Sequence, residues 1–128
     1  MPIRIVQLGG SRHPDEGLRI GTVRRPPRGV HKENYAKENY YDIWLPDLAP
    51  SAELFSSRPR DEDAKSWAAF ARKYEAELKK PEQSRLLDLL VALSQQTNFS
   101  VGCYCENEQR CHRSVLRRIL GARGAVVT

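Results

Sequence analysis

Apolar and polar positions partly alternate over Ile3-Arg4-Ile5-Val6-Gln7-Leu8, and the β-branched content of this run predicts a strand ended by Gly9-Gly10-Ser11. A second short strand is predicted over Leu18 to Val23. Only about nine residues separate the two, fewer than a helical crossover between parallel strands requires. The pair is therefore predicted to be antiparallel or not adjacent. Further along, the period changes. Trp67, Phe70, Ala71, Tyr74 and Leu78 share one face of a helix predicted from Asp61 to Leu78 and ended before Pro81. A following helix, from about Glu82 to Gln95, carries Leu86, Leu87, Leu89, Leu90 and Leu93 so broadly that burial on more than one side is expected. The short apolar run Phe99-Ser100-Val101-Gly102-Cys103 predicts a buried strand. Val115, Leu116, Ile119 and Leu120 then recur at helical spacing, with Gly121 as the expected stop.

The intervening segments carry their own signals. Arg24-Arg25-Pro26-Pro27-Arg28-Gly29 cannot extend a central strand, because each proline removes a backbone donor and restricts its predecessor; it reads as a stiff basic loop at a strand end. Tyr35, Tyr40, Tyr41 and Trp44 supply aromatic surface, chiefly for packing, though aromatics beside arginines also stack nucleobases. Pro46 and Pro50 bracket a turn-like piece, and Ser51 is a candidate helix cap. With 128 residues and no repeat or linker, the chain is expected to be one compact α/β domain over residues 1–128, with a central mixed or mostly parallel sheet flanked by helices.

No apolar run approaches the roughly 20 residues needed to span a membrane, and Met1-Pro2-Ile3-Arg4 lacks the layout of a secretion signal, so a cytosolic protein without membrane contact is expected. In a reducing compartment, three cysteines point to thiols, a metal or a catalytic site rather than a disulfide framework. The net charge of +5 is unevenly placed. Residues 1–32 hold seven basic side chains against Asp15 and Glu16, and Arg110, Arg113, Arg117, Arg118 and Arg123 follow the last acidic residue, Glu108. Should the two clusters meet in space, they form a site for a small phosphate-bearing anion or a nucleic-acid backbone. If they stay apart, they are dispersed surface charges.

All three cysteines lie in Cys103-Tyr104-Cys105-Glu106-Asn107-Glu108-Gln109-Arg110-Cys111-His112-Arg113, on a predicted strand-to-helix turn. In open α/β sheets, ligands bind beyond the carboxyl ends of strands and against helix N-termini. Three chemistries are open. Cys103, Cys105, Cys111 and His112 have the ligand types of a Cys3His zinc site, but one residue between Cys103 and Cys105 is not a zinc knuckle, and a regular strand would send those side chains to opposite faces. As a thiol site, Cys111 at a helix N-terminus beside Arg110 and Arg113 favours thiolate, with Cys103 or Cys105 as a resolving partner. As an anion pocket, His112 and Arg113 add a titratable group and a bidentate donor, and Arg24 and Arg28 close it. Cys105-x4-Arg110 also superficially resembles the anion-cradling loops of sulfurtransferases, but Glu106 and Glu108 within it would repel an anion. The leading reading makes Cys111 the nucleophile or redox thiol, His112 an acid/base group and Arg113, Arg24 and Arg28 the clamp. A non-enzymatic nucleic-acid-binding or regulatory module and a metal-holding module stand as alternatives.

At these residues the chain resembles the DUF488 family. Cys103-x7-Cys111-His112-Arg113-x2-Leu116 is similar to the family's C-x7-C-H-R-x2-L pattern. Arg28-Gly29-Val30-x-Lys32, Trp44-Leu45-Pro46-x-Leu48-Ala49-Pro50-Ser51 and Phe70-x3-Tyr74-x2-Glu77-Leu78 extend the likeness over most of the chain. The resemblance implies a compact α/β domain and a shared site of Cys103, Cys111, His112 and Arg113, with Arg24, Arg28 and Lys32 on the ligand-binding side. The chain departs from longer members in reading Thr22-Val23-Arg24 where they carry Asp-Val-Arg, in its short first connection, and in Cys105, where many relatives have glutamate. The resemblance implies no particular reaction.

Overall fold

The computed structural model describes residues 2–59 and 63–128. Its strands are β1 (Ile3–Gln7), β2 (Leu18–Gly21), β3 (Ile43–Trp44) and β4 (Phe99–Cys103); its helices are α1 (Ala52–Ser56), α2 (Ala64–Leu78), α3 (Pro81–Ser94) and α4 (His112–Ala122). The four strands form one sheet in the order β1-β4-β2-β3, with every pairing parallel. The first two predicted strands are thus not neighbours. β4 separates them, pairing Ile3 with Phe99 on one side and Leu18 with Phe99 on the other. A short non-helical connection suffices because it steps across an intervening strand and need not return to its own neighbour.

The apolar faces of α2, α3 and α4 cover the sheet. Phe70, Tyr74 and Leu78 from α2, Leu87 and Leu90 from α3, and Val115, Leu116 and Leu120 from α4 pack with Ile3, Ile20, Phe99 and Val101 in one buried cluster. A second cluster, Leu8, Val23, Tyr41, Cys103 and Cys111, lies at the carboxyl end of the sheet. Tyr41 reaches the sheet because Gly21 has no Cβ; one placed there would meet the tyrosine ring at 2.4 Å.

Two local expectations are corrected, and a third lies outside the described residues. The predicted start of the first long helix at Asp61 falls there, and helix is described from Ala64 with Asp63 as its cap. α3 is buried on one side only: Leu87 and Leu90 face the core while Leu89 and Leu93 stay exposed, so its abundance of leucine exceeds what the core takes up. α4 runs past Gly121, and the terminating glycine is Gly124 at φ +104°, with the Ala125 N–H donating to the Leu120 carbonyl at 3.1 Å. Within the aromatic segment the two-residue strand β3 forms, too short to show an alternating pattern in the sequence.

One buried ion pair ties the sheet to its loops. Arg19 on β2 donates from Nε to Glu16 Oε2 at 2.6 Å and from an Nη to Oε1 at 2.9 Å, and both side chains are almost fully buried. Ser100 Oγ on β4 donates to the same carboxylate at 2.7 Å. The guanidinium also donates to the carbonyls of Gly10 at 2.9 Å and Asn39 at 2.6 Å. Burial pushes the Glu16 carboxyl up, but hydrogen bonds from Arg19 and Ser100 outweigh it and bring the pKa from 4.5 down to about 2. A depressed carboxyl contributes stability that is fully present above its unfolded pKa and is lost as pH falls through the folded one. Acid titration monitored by circular dichroism should therefore show stability declining between about pH 4.5 and pH 2. Glu16→Gln, which strands a buried guanidinium, should cost about 3–5 kcal/mol in denaturant unfolding and flatten that acid limb.

Candidate functional site

The carboxyl ends of β4 and β2, the loop after β2, the segment after α1 and the start of α4 surround a cavity of about 880 Å³. Its floor is the cysteine turn. β4 ends at Cys103, so the chain leaves strand geometry before Cys105, and the two side chains converge instead of diverging: their Sγ atoms lie 3.7 Å apart. A short 3-10 turn over Glu108–Arg110 then delivers Cys111 to the N-cap of α4 in extended conformation, which places its sulfur beside the ring of the next residue. Cys111 Sγ and His112 Nδ1 are 3.8 Å apart, and the donor atoms of Cys103, Cys111 and His112 all lie within 4.8 Å of one another. The divergence expected of a regular strand does not occur, because β4 ends at Cys103 and Cys111 is an extended N-cap outside the helix.

His112 is oriented by backbone. Its Nε2 is 2.6 Å from the Thr22 carbonyl, which only accepts, so Nε2 carries the proton and Nδ1 turns a lone pair toward Cys111. Thr22 is itself held by its Oγ1 donating to Gly102 O at 3.1 Å, which links β2 to β4 at the point where the site begins. The Tyr74 ring meets the imidazole edge-on at 5.4 Å. Burial lowers the His112 pKa from 6.5 to about 4, against the partial support of the Thr22 carbonyl, so the ring is neutral at physiological pH.

The three thiols are not equivalent. Hydrogen bonding with the Cys103 thiol, and next with Cys105, holds Cys111 well below its usual 9.0; burial opposes this, and the Arg113 N–H and guanidinium assist. Cys103 is raised, first by its hydrogen bond to Cys105, then by its interaction with Cys111 and by burial. At Cys105 the hydrogen bond from Cys103 favours ionisation but is outweighed by the interaction with Cys111, burial and repulsion from that sulfur, so its pKa is raised. Negative charge therefore settles on Cys111. Arg113 is its cation: the guanidinium is buried, joins no carboxylate ion pair among the described residues, donates one Nη to the Cys105 carbonyl, and leaves its Nε without a hydrogen-bond partner.

The chain matches the family model DUF488-N3a, described as the active DUF488-N3 subclade, over residues 3–124. It belongs to the DUF488 family. No curated protein and no solved structure matches it. In this DUF488 chain the motif segments divide into two groups. Cys103, Cys111 and His112 line the cavity, and Arg113 lies buried beneath them. The Trp44–Ser51 and Phe70–Leu78 segments are scaffolding: the Tyr74 hydroxyl donates to the Leu48 carbonyl, and Ser51 donates from both N and Oγ to the Glu77 carboxylate.

The other predicted site residues separate as well. Arg24 and Arg28 line the cavity, but the Arg24 guanidinium donates to the carbonyls of Pro50 at 3.0 Å and Pro46 at 3.0 Å, so it fastens the loop after β3. Arg113 and Lys32 do not line the cavity; the first is too deep and the second sits in an exposed 3-10 turn. Glu106 and Glu108 do not line it either, and Glu108 is turned outward onto Arg117 at 2.6 Å, which removes the repulsion expected of them. Arg25, Arg58 and Arg110 were not singled out as ligand residues, nor were Phe55, Trp67 and Phe70, yet all six contribute walls. The helical period marked Trp67 and Phe70 only as core, because nothing local reveals that a core face continues into a cavity wall.

Reactivity provides the check on these assignments. Cys111 should alkylate with iodoacetamide at a rate nearly flat from about pH 5 to pH 8, while Cys103 stays slow, as followed by peptide mass spectrometry. Cys103→Ala removes the largest support of the thiolate and should move the Cys111 inflection upward. An inflection near 8.5 in the unmodified protein would refute the assignment.

Proposed function

We propose that this DUF488 protein binds a small organic anion, phosphate-bearing for preference, and presents the Cys111 thiolate to it. One observation carries the reading. Arg25, Arg28, Arg58 and Arg110 come from three separate segments to one cavity, and no carboxylate is among its described lining residues. Among the described residues, Asp63 lies near enough to Arg110 to feel it, and its carboxyl is held down first by Ser66 and the Lys65 N–H. Aromatic surface faces the same space: Trp67 stacks on Phe70 at 5.4 Å, and Tyr40 and Tyr104 meet at 6.1 Å. Arginines at the rim suit an anionic group, and the aromatic wall suits a planar organic body such as a nucleobase.

Within this reading Cys111 is the nucleophile, Arg113 stabilises its negative charge, and the lone pair on His112 Nδ1 accepts the proton when the thiol forms again. The buried Arg113 cation and the N-terminus of α4 favour an anion at Cys111 and disfavour a further cation, which ranks metal holding below thiol chemistry. The nucleic-acid alternative draws less support, since Arg12, Arg117, Arg118 and Arg123 are paired with Asp42, Glu108, Glu75 and Asp88 and do not extend the basic surface beyond the cavity.

Calorimetry with adenosine monophosphate at low salt should show binding that neutral adenosine lacks. Arg28→Ala and Arg110→Ala should each weaken it about tenfold, and added salt should weaken it further. Equal affinity for nucleotide and nucleoside would overturn the clamp. Near-stoichiometric zinc in protein purified without chelator, with alkylation-protected thiols, would overturn the role of Cys111. Binding of oligonucleotide that survives both arginine substitutions would favour the nucleic-acid module.

A further inference from the structure

Three free sulfurs run outward from the floor of the cavity to its mouth. Cys111 and Cys103 are buried, with donor atoms within 4.8 Å, and Cys105 is exposed with its Sγ 3.7 Å from that of Cys103. All three line the cavity. A single nucleophile needs only one of them. The central sulfur is within a modest rearrangement of both others, since a disulfide bond is about 2.05 Å long and forms by side-chain rotation when the Cβ atoms are suitably placed. Cys105 lies in the turn after β4, where no ladder hydrogen bond restrains it.

We propose that these cysteines form a thiol–disulfide relay whose oxidising substrate is the disulfide of a small anionic thiol. The proposal rests on the anion-pocket reading for its substrate class, and on the sulfur geometry for its chemistry. In the first step the Cys111 thiolate attacks one sulfur of the substrate disulfide; a Cys111–substrate mixed disulfide forms, the substrate S–S bond breaks, and one substrate thiolate leaves. In the second, the Cys103 thiol loses its proton to the neutral His112 Nδ1 side of the cluster and attacks Cys111 Sγ, forming the Cys103–Cys111 disulfide and releasing the second substrate thiolate. That thiolate takes the proton as it departs. The net change is two protein thiols oxidised and one substrate disulfide reduced to two thiols. In the third, the exposed Cys105 thiol gives its proton to solvent and attacks Cys103 Sγ; the Cys103–Cys111 bond breaks, the Cys111 thiolate is regenerated, and the disulfide moves to Cys103–Cys105 at the mouth, where an external dithiol reduces it.

The arginines select the substrate. A neutral disulfide gains nothing from Arg25, Arg28 and Arg110, whereas a carboxylate- or phosphate-bearing one is drawn to the sulfur by them. The buried position of Cys111 shields it from large protein disulfides.

5,5′-Dithiobis(2-nitrobenzoate), an aromatic dicarboxylate disulfide, is the probe. One equivalent added to the reduced protein should release two equivalents of thionitrobenzoate, leave no adduct in the intact mass, and place the disulfide at Cys103–Cys105 in non-reducing peptide maps. The double variant Cys103→Ser/Cys105→Ser should release one equivalent and retain the adduct on Cys111. Arg28→Ala and Arg110→Ala should slow the first release about tenfold and lower the ratio of that rate to the rate with neutral bis(2-hydroxyethyl) disulfide. Persistence of the adduct on the wild-type chain overturns the relay, and this result needs no variant that has to fold. Equal rates for the charged and neutral disulfides overturn the substrate class. Nucleotide binding that stays arginine-dependent while the adduct persists would show that the relay alone has failed and the anion pocket stands.

Discussion

The Glu16–Arg19 pair is the constraint on which the remaining geometry depends. A guanidinium in the interior must have its charge matched and its donors occupied, and here the carboxylate of Glu16 does the first while the carbonyls of Gly10, Ser11 and Asn39 do the second. These partners come from both ends of the first connection and from the segment before β3. Ser100 adds β4 to the same carboxylate. The result is that the non-helical path from β1 to β2 crosses the end of the sheet in one conformation. With β2 placed, Thr22 presents the carbonyl that sets the tautomer of His112.

The arginines that hold the fold or reach the site perform four separate tasks. Arg19 and Arg24 satisfy carbonyls and hold loops, and Arg12, Arg117, Arg118 and Arg123 sit in ion pairs at or near the surface. Arg113 lies below the cluster of sulfurs and joins no carboxylate ion pair among the described residues, and its N–H and guanidinium help hold Cys111 as the thiolate. A fourth group, Arg25, Arg28, Arg58 and Arg110, opens onto the cavity. A net charge of +5 therefore says little until each cation is matched to its partner.

The site also depends on where regular structure stops. β4 releases the chain at Cys103, and α4 begins at His112, so Cys105 and Cys111 are both outside the periodicities that would separate them from their neighbours. An extended N-cap at Cys111 brings a sulfur and an imidazole of adjacent residues onto one point. The outer edge of β1, meanwhile, is covered by the chain terminus, where Val126 and Thr128 exchange backbone hydrogen bonds with Ile3 and Ile5. That leaves the two-residue β3 as a sheet edge too short to invite pairing. No described helix is long and apolar enough to cross a membrane.

The sequence by itself determined the elements with a clean period and firm ends. Ile3–Gln7 and Phe99–Cys103 are short apolar runs bounded by turn residues, α2 and α3 stop and start at Pro81, and Ser51 caps α1 by accepting from the Leu54 N–H. It also marked the C-x7-C-H-R turn as the place where chemistry gathers, because all three cysteines fall there beside a histidine and an arginine that are costly to bury without polar partners. Tertiary structure alone decided the strand order, since a short connection is compatible with either an antiparallel neighbour or a skipped position. It alone decided which arginines are spoken for, because an ion pair such as Arg118–Glu75 joins residues far apart in the chain. And it alone decided that Cys103, Cys105 and Cys111 meet, because convergence of side chains follows from backbone angles at the end of a strand and the start of a helix, which residue spacing does not encode.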